Sequence, residues 1–167
     1  MKPIVFSKID GGKLKIGTKA LTQMQKYIQN KFYKREAGGV LLGRYIINSL
    51  DVVIDEVTTP MCGDRRGRFK FLRARRLHQK IIDRRWQQSE GTINYLGEWH
   101  THPEPIPTPS KQDIRDWRRK FNEDFFDGNS LHFLILGIEG LIVWEFSKKS
   151  LKRELIGEFR YSEVKNV

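Results

Sequence analysis

The sequence predicts a mixed α/β fold in which a largely antiparallel sheet is flanked by helices. Short runs rich in Val, Ile and Leu alternate with amphipathic segments of helical period, and several of the apolar runs are joined by tight turns. The 167 residues fit one compact domain, because a single hydrophobic core normally takes ~100 to 200 residues. We therefore expect a single domain over residues 1–167.

The N-terminal half is predicted to begin with a hairpin and a helix and to continue with two buried strands. The hairpin turns at an Asp-Gly-Gly sequence, and the helix has Thr18 at its N-cap and apolar residues at helical spacing. The next two runs have the apolar character of buried, paired strands. The predicted elements are strands over residues 3–7 and 13–16, a helix from Thr18 to about Tyr33, and strands over residues 38–47 and 52–58.

The C-terminal half is predicted to place two more helices between strands. A stiff segment with four prolines at alternate positions, residues 103–109, separates a strand from a helix that Ser110 caps. Glu139 and Gly140 supply the turn of a second hairpin. The predicted elements are a short strand over residues 68–72, a helix over 75–88, a strand over 93–101, a helix over 110–122, strands over 132–137 and 141–146, and a last strand or helix over 151–161.

Composition limits the cellular compartment and the class of partner. Cys62 is the only cysteine, so an intramolecular disulfide and a metal cage of several thiolates are both excluded. No signal peptide is recognisable, and no stretch approaches the ~20 apolar residues that cross a bilayer. We therefore expect a cytoplasmic protein without a membrane anchor. The net charge of +11 indicates an acidic partner, and charge alone does not identify its class.

The strongest chemical signal is a pair of histidines at the end of the strand predicted over residues 93–101. His100 and His102 are two residues apart, so their side chains project to the same face of a strand. The proline segment then leads to Ser110 and Asp113, where Asp113 offers an oxygen ligand at the start of a helix. Two imidazoles and one carboxylate leave one tetrahedral position open, as in catalytic zinc sites. The sequence therefore predicts one catalytic zinc ion per chain.

Two glutamates are candidates for the general base that such a site needs. Glu98 precedes His100 by two residues and therefore shares its strand face. Glu36 is distant in sequence but immediately precedes the strand predicted over residues 38–47, and a carboxylate from a separate strand would approach a bound water from the open side. Spacing alone leaves both candidates open, and Glu98 is equally consistent with a carboxylate that orients the ligands.

These residues resemble the signature of the JAMM family of zinc metalloisopeptidases, also called the catalytic MPN domain. That signature is a Glu, then His-x-His, seven residues, Ser, two residues and Asp, and the chain matches it at every spacing. The resemblance spans roughly residues 36–146 and implies an MPN-type α/β domain. It further implies zinc bound by His100, His102 and Asp113, with Glu36 as the base and Ser110 stabilising the oxyanion.

The sequence around the histidines, Gly-Glu-Trp-His-Thr-His-Pro, resembles a bacterial subgroup of the family. This subgroup includes the deconjugating peptidases of type II CBASS antiviral operons, although Glu98 departs from the Trp or other apolar residue that many family members carry there. The resemblance implies a deubiquitinase-like enzyme. Its substrate would be a protein joined through its C-terminus to a target, either a CD-NTase or a ubiquitin-like protein.

Alternative interpretations remain at the level of sequence. Residues 65–85 hold ten Lys or Arg against one Asp, with Phe69, Phe71 and Trp86 close by, which is typical of a nucleic-acid-binding face or of a docking surface for an acidic protein. No nucleic-acid-binding module is recognisable, so nucleic acid is the less favoured partner. A non-catalytic MPN scaffold is disfavoured by the complete ligand set. Ser110 and Asp113 also fit a capping box that only stabilises a helix.

Overall fold

In the computed structural model, which describes residues 2–162, ten strands and three helices follow one another along the chain. The strands are β1 (Ile4–Ser7), β2 (Lys13–Ile16), β3 (Gly38–Tyr45), β4 (Val52–Val57), β5 (Arg65–Arg66), β6 (Phe71–Leu72), β7 (Asn94–Thr101), β8 (Ser130–Leu136), β9 (Gly140–Ser147) and β10 (Arg153–Arg160), and the helices are α1 (Thr18–Gln25), α2 (Arg75–Gln88) and α3 (Lys111–Glu123). This mixture of elements confirms the predicted α/β class.

Eight of the strands form one sheet with the order β1-β2-β4-β3-β7-β8-β9-β10. Neighbouring strands are antiparallel except at two places, where β2 pairs with β4 and β7 pairs with β8 in parallel. The sheet is therefore largely antiparallel, as predicted. The remaining two strands, β5 and β6, form a small separate hairpin.

Helices cover both faces of the sheet, so that side chains of one strand enter two different cores. In β3, Leu41 packs in the core beneath α1, whereas Val40 and Leu42 pack in the opposite core. Trp117 of α3 is buried in that second core, against which Ile82 of α2 also packs. Every residue of β8 is buried, as expected for a strand covered on both sides. None of the helices in residues 2–162 is long and apolar enough to cross a membrane.

The first helix is shorter than its amphipathic pattern predicts. α1 ends at Gln25 rather than at about Tyr33. Beyond the helix, the buried side chain of Gln29 donates hydrogen bonds to the carbonyl oxygens of Lys34, at 3.3 Å, and Arg68, at 2.8 Å. Hydrogen bonds from the Gln29 side chain to distant carbonyl groups therefore hold the segment after Gln25 in place, where a longer helix would have used its own backbone hydrogen bonds. The apolar periodicity continues past Gln25 because the irregular segment still packs against the core.

The predicted N-cap of the same helix is wrong by one residue. Gly17 rather than Thr18 occupies the N-cap, and its N–H donates to the carbonyl oxygen of Ile54 at 2.8 Å. This bond to β4 fixes where the chain leaves the sheet, and the helix begins one residue later. Toward the other end of the chain, the segment predicted over residues 151–161 as a strand or a helix forms the strand β10 over Arg153–Arg160.

The short strand predicted over residues 68–72 is instead one arm of the β5–β6 hairpin. The chain reverses between the two arms, where the N–H of Gly67 donates to the carbonyl oxygen of Lys70 at 2.8 Å. Only Phe71 and Leu72 of the predicted strand have strand geometry. The other predicted strands and helices agree with the structure to within two residues at each end.

Candidate functional site

The two histidines of the predicted site meet at the end of β7. His100 lies in the strand, and His102 follows its last residue. The N–H of His102 donates to the carbonyl oxygen of Leu136 at 2.9 Å, so the backbone stays extended along β8 beyond the assigned strand. The Nε2 atoms of the two imidazoles are 3.1 Å apart. The alternation of side chains along an extended strand therefore aims both rings at one point.

Glu36 reaches the same point through the pairing of β3 with β7. Gly38 lies opposite His100 in this antiparallel pair. Backbone hydrogen bonding continues for one further residue, because the N–H of Thr101 donates to the carbonyl oxygen of Ala37, next to Glu36, at 2.8 Å. An oxygen of Glu36 and a ring nitrogen of each histidine all lie within 4.8 Å of one another. Strand register thus brings a residue that is distant in sequence to the histidine pair.

The backbone of Glu36 is fixed by the β5–β6 hairpin, and its side chain is buried. Its N–H donates to the carbonyl oxygen of Gly67 at 2.7 Å, and its own carbonyl oxygen accepts from Nε of Arg66 at 2.8 Å. Burial raises the pKa of the Glu36 carboxyl to about 8, against a smaller lowering by His102. A carboxyl with this pKa exchanges protons efficiently near neutral pH.

The N-terminus of α3 brings Asp113 to the histidines. Ser110 and Asp113 form a capping box, in which Oγ of Ser110 accepts from the N–H of Asp113 at 3.1 Å and Oδ2 of Asp113 accepts from the N–H of Ser110 at 2.7 Å. The same carboxylate lies 3.3 Å from Nε2 of His100 and 3.5 Å from Nε2 of His102. The Asp113 carboxylate therefore caps α3 and faces both histidines at the same time.

The charges of these side chains depend on burial and on one another. Burial lowers the pKa of His100, and Asp113 offsets this only in part. Burial also acts to lower the pKa of His102, but hydrogen bonding and attraction to Asp113 outweigh it and raise the pKa. For Asp113 burial acts to raise the pKa, yet the two histidines hold it far below its usual value. An ionised Asp113 beside a readily neutral His100 suits metal ligation.

His100, His102 and Asp113 fit a zinc ion in donor type and in spacing. Ligand atoms around tetrahedral zinc are about 3.3 Å apart, because Zn–N and Zn–O bonds are ~2.0 to 2.2 Å long. The two Nε2 atoms are 3.1 Å apart, and Asp113 places Oδ1 3.3 Å from Nε2 of His100 and Oδ2 3.5 Å from Nε2 of His102, all close to that distance. Glu36 lies within reach of the same point, at up to 4.8 Å from the ring nitrogens. The site could therefore hold one ion with Glu36 beside it.

Glu98 shares the strand face of the histidines but interacts with other side chains. Its Oε1 accepts from Nη2 of Arg73 at 2.7 Å and from Nε at 3.0 Å, and its Oε2 accepts from Lys120. Burial acts to raise the pKa of Glu98, but Lys120 and Arg73 outweigh it and lower the pKa to about 2. Within residues 2–162 no hydrogen bond joins Glu98 to either histidine. A carboxylate held so firmly ionised is a poor proton acceptor near neutral pH.

Three cations that shape the site are absent from the sequence-based prediction. Arg66 holds the backbone of Glu36, and Arg73 and Lys120 neutralise Glu98. One feature of the sequence predicts such a cation, because an acidic residue in an apolar strand, here Glu98, requires a partner of opposite charge. It does not tell which of the many Lys and Arg residues supplies that partner.

The basic run over residues 65–85 does not form one charged face. Arg85 pairs with Glu56 at 2.7 Å, and Nη1 of Arg68 donates to the carbonyl oxygen of Phe32 at 2.5 Å. Arg73 and Arg66 are engaged inside the site, as described above. Several of these cations therefore neutralise or bridge groups of the chain itself, which leaves fewer for an acidic partner than the sequence alone indicates.

Two clefts open on the site. The first, which we call the His100 cleft, has a volume of about 290 Å³ and is lined by His100, Glu98 and Glu36 among others. The second, the His102 cleft, has a volume of about 590 Å³ and is lined by His102 and Ser110. Both residues of β6 and the carboxylate of Asp113 line both clefts. A chain lying along β6 would therefore cross the histidines.

Comparison with known proteins identifies the family. Residues 19–148 match the prokaryotic homologues of the JAB domain. The chain belongs to this JAB family. A protein from Vibrio cholerae named CD-NTase/cGAS isopeptidase is 34% identical over 143 residues, which cover 86% of this chain and 85% of that protein. A protein of the same name from Escherichia coli is 35% identical over 117 residues, covering 70% and 74% of the two chains.

Further comparisons agree with this membership. A Pseudomonas aeruginosa protein, also named CD-NTase/cGAS isopeptidase, is 40% identical over 99 residues, which span 59% of this chain and 61% of that protein. A solution structure from Desulfitobacterium hafniense has a TM-score of 0.58 at 21% identity, over 84% of this chain and 87% of that one, and supports the fold. The predicted JAMM or MPN resemblance is confirmed, and the names of the relatives support a hydrolase of the isopeptidase class.

Proposed function

We propose that this JAB-family chain is a zinc-dependent isopeptidase. It hydrolyses the bond after the C-terminal residue of a conjugated protein, most specifically a CD-NTase, in the cytoplasm. The observation that carries the proposal is the convergence of His100, His102, Asp113 and Glu36 at a point open to two clefts. The names of three relatives support a CD-NTase as the substrate.

In this proposal His100, His102 and Asp113 hold one zinc ion, and Glu36 remains free for proton transfer. Asp113 is assigned as the third ligand because Oδ1 lies 3.3 Å from Nε2 of His100 and Oδ2 lies 3.5 Å from Nε2 of His102, each close to the spacing of ligands on one ion. A zinc ion at this point would act as a Lewis acid and lower the pKa of a coordinated water from ~15.7 toward ~7.

Glu36 and Ser110 carry the proton transfer and the oxyanion contact. Glu36 takes a proton from the attacking water as the water oxygen bonds to the carbonyl carbon. The hydroxyl of Ser110 accepts from the N–H of Asp113 and keeps its own proton to donate to the oxyanion. When the C–N bond breaks, Glu36 returns the proton to the leaving amine. The products are a free C-terminal carboxylate and the amine of the target.

The hairpin beside the site supports a way of binding the substrate. Within residues 2–162, β6 pairs only with β5, so its other edge is free to pair with an extended chain. Phe71 and Leu72 line both clefts, and a substrate strand added to β6 would lie across the histidines. The proposed substrate therefore adds as a strand and presents its C-terminal peptide bond to Glu36.

Metal analysis and cleavage test the proposal together. The purified protein should contain about one zinc ion per chain. It should release a reporter protein whose lysine is joined to the C-terminal carboxyl of a CD-NTase. A chelator should stop this cleavage, and added zinc should restore it. His100→Ala and Asp113→Ala should lose both zinc and activity, whereas Glu158→Ala on the outer strand β10 should lose neither.

Two results would contradict the proposal. Full activity in metal-free protein would exclude a zinc-dependent mechanism. Normal zinc content without cleavage of any conjugated CD-NTase would favour a non-catalytic scaffold. Binding to nucleic acid that weakens steeply with salt, in the absence of chelator-sensitive hydrolysis, would instead favour a nucleic-acid-binding protein.

A further inference from the structure

A third cleft, of about 510 Å³, continues from the His100 cleft toward α2. We call it the aromatic cleft. It lies between the second half of α2 and residues 124–127, and it contains none of the predicted site residues. Arg73, Arg75 and Asp124 line both the aromatic cleft and the His100 cleft. The aromatic cleft therefore adjoins the His100 cleft along these three side chains, and the His100 cleft reaches His100.

The walls of the aromatic cleft carry two large exposed aromatic side chains. Trp86 of α2 is 50% exposed, and Phe125, two residues after the end of α3, is 89% exposed. Ile82 and Tyr95 add apolar surface between them. Exposed aromatic groups around a depression are typical of surfaces that bind another protein, because their burial on binding contributes strongly to affinity.

The end of the aromatic cleft nearest the site carries hydrogen-bond donors. Nη1 of Arg73 is buried and has no hydrogen-bond partner within residues 2–162, although Nε and Nη2 of the same side chain contact Glu98. A buried donor without an acceptor is costly, so an acceptor on a bound ligand would be favoured there. Arg75, with a side chain 73% exposed, lies in the same part of the cleft, where its Nη2 pairs with Oδ1 of Asp124 at 3.6 Å.

We propose that the aromatic cleft binds a segment of the conjugated CD-NTase that lies some residues before its C-terminus. Trp86 and Phe125 enclose a large apolar side chain of this segment, and Nη1 of Arg73 donates a hydrogen bond to an oxygen of an adjacent residue. The proposal rests on the proposed isopeptidase function. Continuity favours a polypeptide as the occupant, because Arg73, which lines the aromatic cleft, follows β6 directly in sequence, so a chain paired with β6 would reach this cleft at Arg73.

Two substrates distinguish binding in the aromatic cleft from hydrolysis at the candidate site. The long substrate is a full-length CD-NTase joined by its C-terminal carboxyl to a reporter lysine, and the short one is its last few residues joined to a fluorogenic amine. In Trp86→Ala/Phe125→Ala, KM for the long substrate should rise about tenfold or more while kcat stays unchanged. Both constants for the short substrate should stay at wild-type values. Trp86→Phe alone should retain most of the affinity, since it keeps an aromatic ring.

A matched control removes an exposed apolar side chain elsewhere. Ile47→Ala, at a position 87% exposed in the turn between β3 and β4, should leave both substrates unaffected. An unchanged KM for the long substrate in a folded double variant would overturn the inference and leave the proposed function intact. A wild-type protein that cleaves neither substrate would overturn both. If the double variant keeps KM but loses binding to a single-stranded oligothymidine, the aromatic cleft is a nucleic-acid site and the inference is wrong.

Discussion

At the scale of single residues, Glu36 and Glu98 show how the surroundings of a carboxyl group set its pKa. Burial raises the pKa of Glu36 to about 8. Glu98 is as deeply buried, but Lys120 and Arg73 outweigh burial and lower its pKa to about 2. Carboxyl groups whose pKa values are separated in this way serve different tasks. Glu36 is suited to proton exchange and Glu98 to holding a fixed charge.

Substitution of Glu36 tests its assignment as the general base. Glu36→Gln keeps the size of the side chain but cannot accept a proton, so kcat should fall by about 100-fold or more. Zinc content should remain at the wild-type level, because Glu36 is not assigned as a ligand. Cleavage kinetics and metal analysis on the same preparation measure both. If Glu98→Gln abolishes cleavage with zinc retained while Glu36→Gln does not, the base is Glu98.

Substitution of Glu98 should affect stability, in a manner that depends on pH. The folded-state pKa of Glu98 is about 2, below its ordinary value of 4.5, so its stabilising effect is complete above pH 4.5 and is lost as pH falls toward 2. Glu98→Gln should lower the free energy of unfolding at pH 7 by about 3 kcal/mol, because two cations with side chains only 12% and 20% exposed lose their counter-ion. The difference from wild type should shrink between pH 5 and pH 3.

Denaturant unfolding of metal-free protein, followed across this pH range in the presence of a chelator, measures the Glu98 effect. Glu158→Gln provides the control, since Glu158 is an exposed residue of β10 whose only ion pair among residues 2–162 is with Arg160 on its own strand. It should change the unfolding free energy little at any pH. A difference between Glu98→Gln and wild type that stays constant from pH 7 to pH 3 would contradict the assigned ion pairs.

At the scale of elements, the ends of a strand and of a helix meet at the site. β7 ends where the proline segment begins, and α3 starts with the capping box of Ser110 and Asp113. The capping box fixes the Asp113 carboxylate through Oδ2, and the carboxylate faces both histidines. Local helix capping therefore determines the position of a proposed metal ligand.

Variants of Ser110 separate helix capping from catalysis. Ser110→Ala loses both the capping oxygen and the hydroxyl, so the protein should lose about 1 kcal/mol of stability and at least tenfold in kcat. Ser110→Asn restores a capping oxygen without the hydroxyl, and it should recover stability but not rate. Ser110→Thr keeps both groups and should recover both. Unfolding and cleavage assays distinguish these effects, and full activity of the Asn variant would remove Ser110 from the proposed mechanism.

At the scale of the whole molecule, the site ties together parts of the chain that are far apart in sequence. Glu36 lies two residues before β3, the histidines lie at the end of β7, and Asp113 lies in the first turn of α3. An ion bound by β7 and α3 would stabilise only the folded chain, because the unfolded chain does not hold these ligands together. Metal binding should therefore be visible in global stability.

Thermal unfolding with and without zinc measures this linkage. Free zinc at about 100 times its Kd should stabilise the fold by about 2.7 kcal/mol, which corresponds to a rise in Tm of roughly 5 to 10 °C for a domain of this size. Asp113→Ala and His100→Ala should show little or no rise. A rise of equal size in wild type and Asp113→Ala would mean that zinc binds elsewhere.

Local sequence determined most of the secondary structure and the residues of the candidate site. Apolar periodicity, turns and caps act over a few residues, so the bounds of α2 and most strands were predictable. The spacing of His100 and His102, followed by Asp113 at a helix start, was also a local signal and predicted where their side chains converge. The roles of these residues remain predictions for the experiments above.

Only the tertiary structure decided the contacts that depend on distant pairing. The pairing of β3 with β7 brought Glu36 to the two histidines, and packing of α3 and of the loop before α2 gave Glu98 its two cations. After α1 ends at Gln25, the side chain of Gln29 makes hydrogen bonds to distant backbone carbonyls instead of continuing the helix. Ion pairs within the chain, such as Arg85 with Glu56, divide the cations of residues 65–85 among different partners. These outcomes depend on which distant segments fold together, and no local pattern of residues encodes that choice.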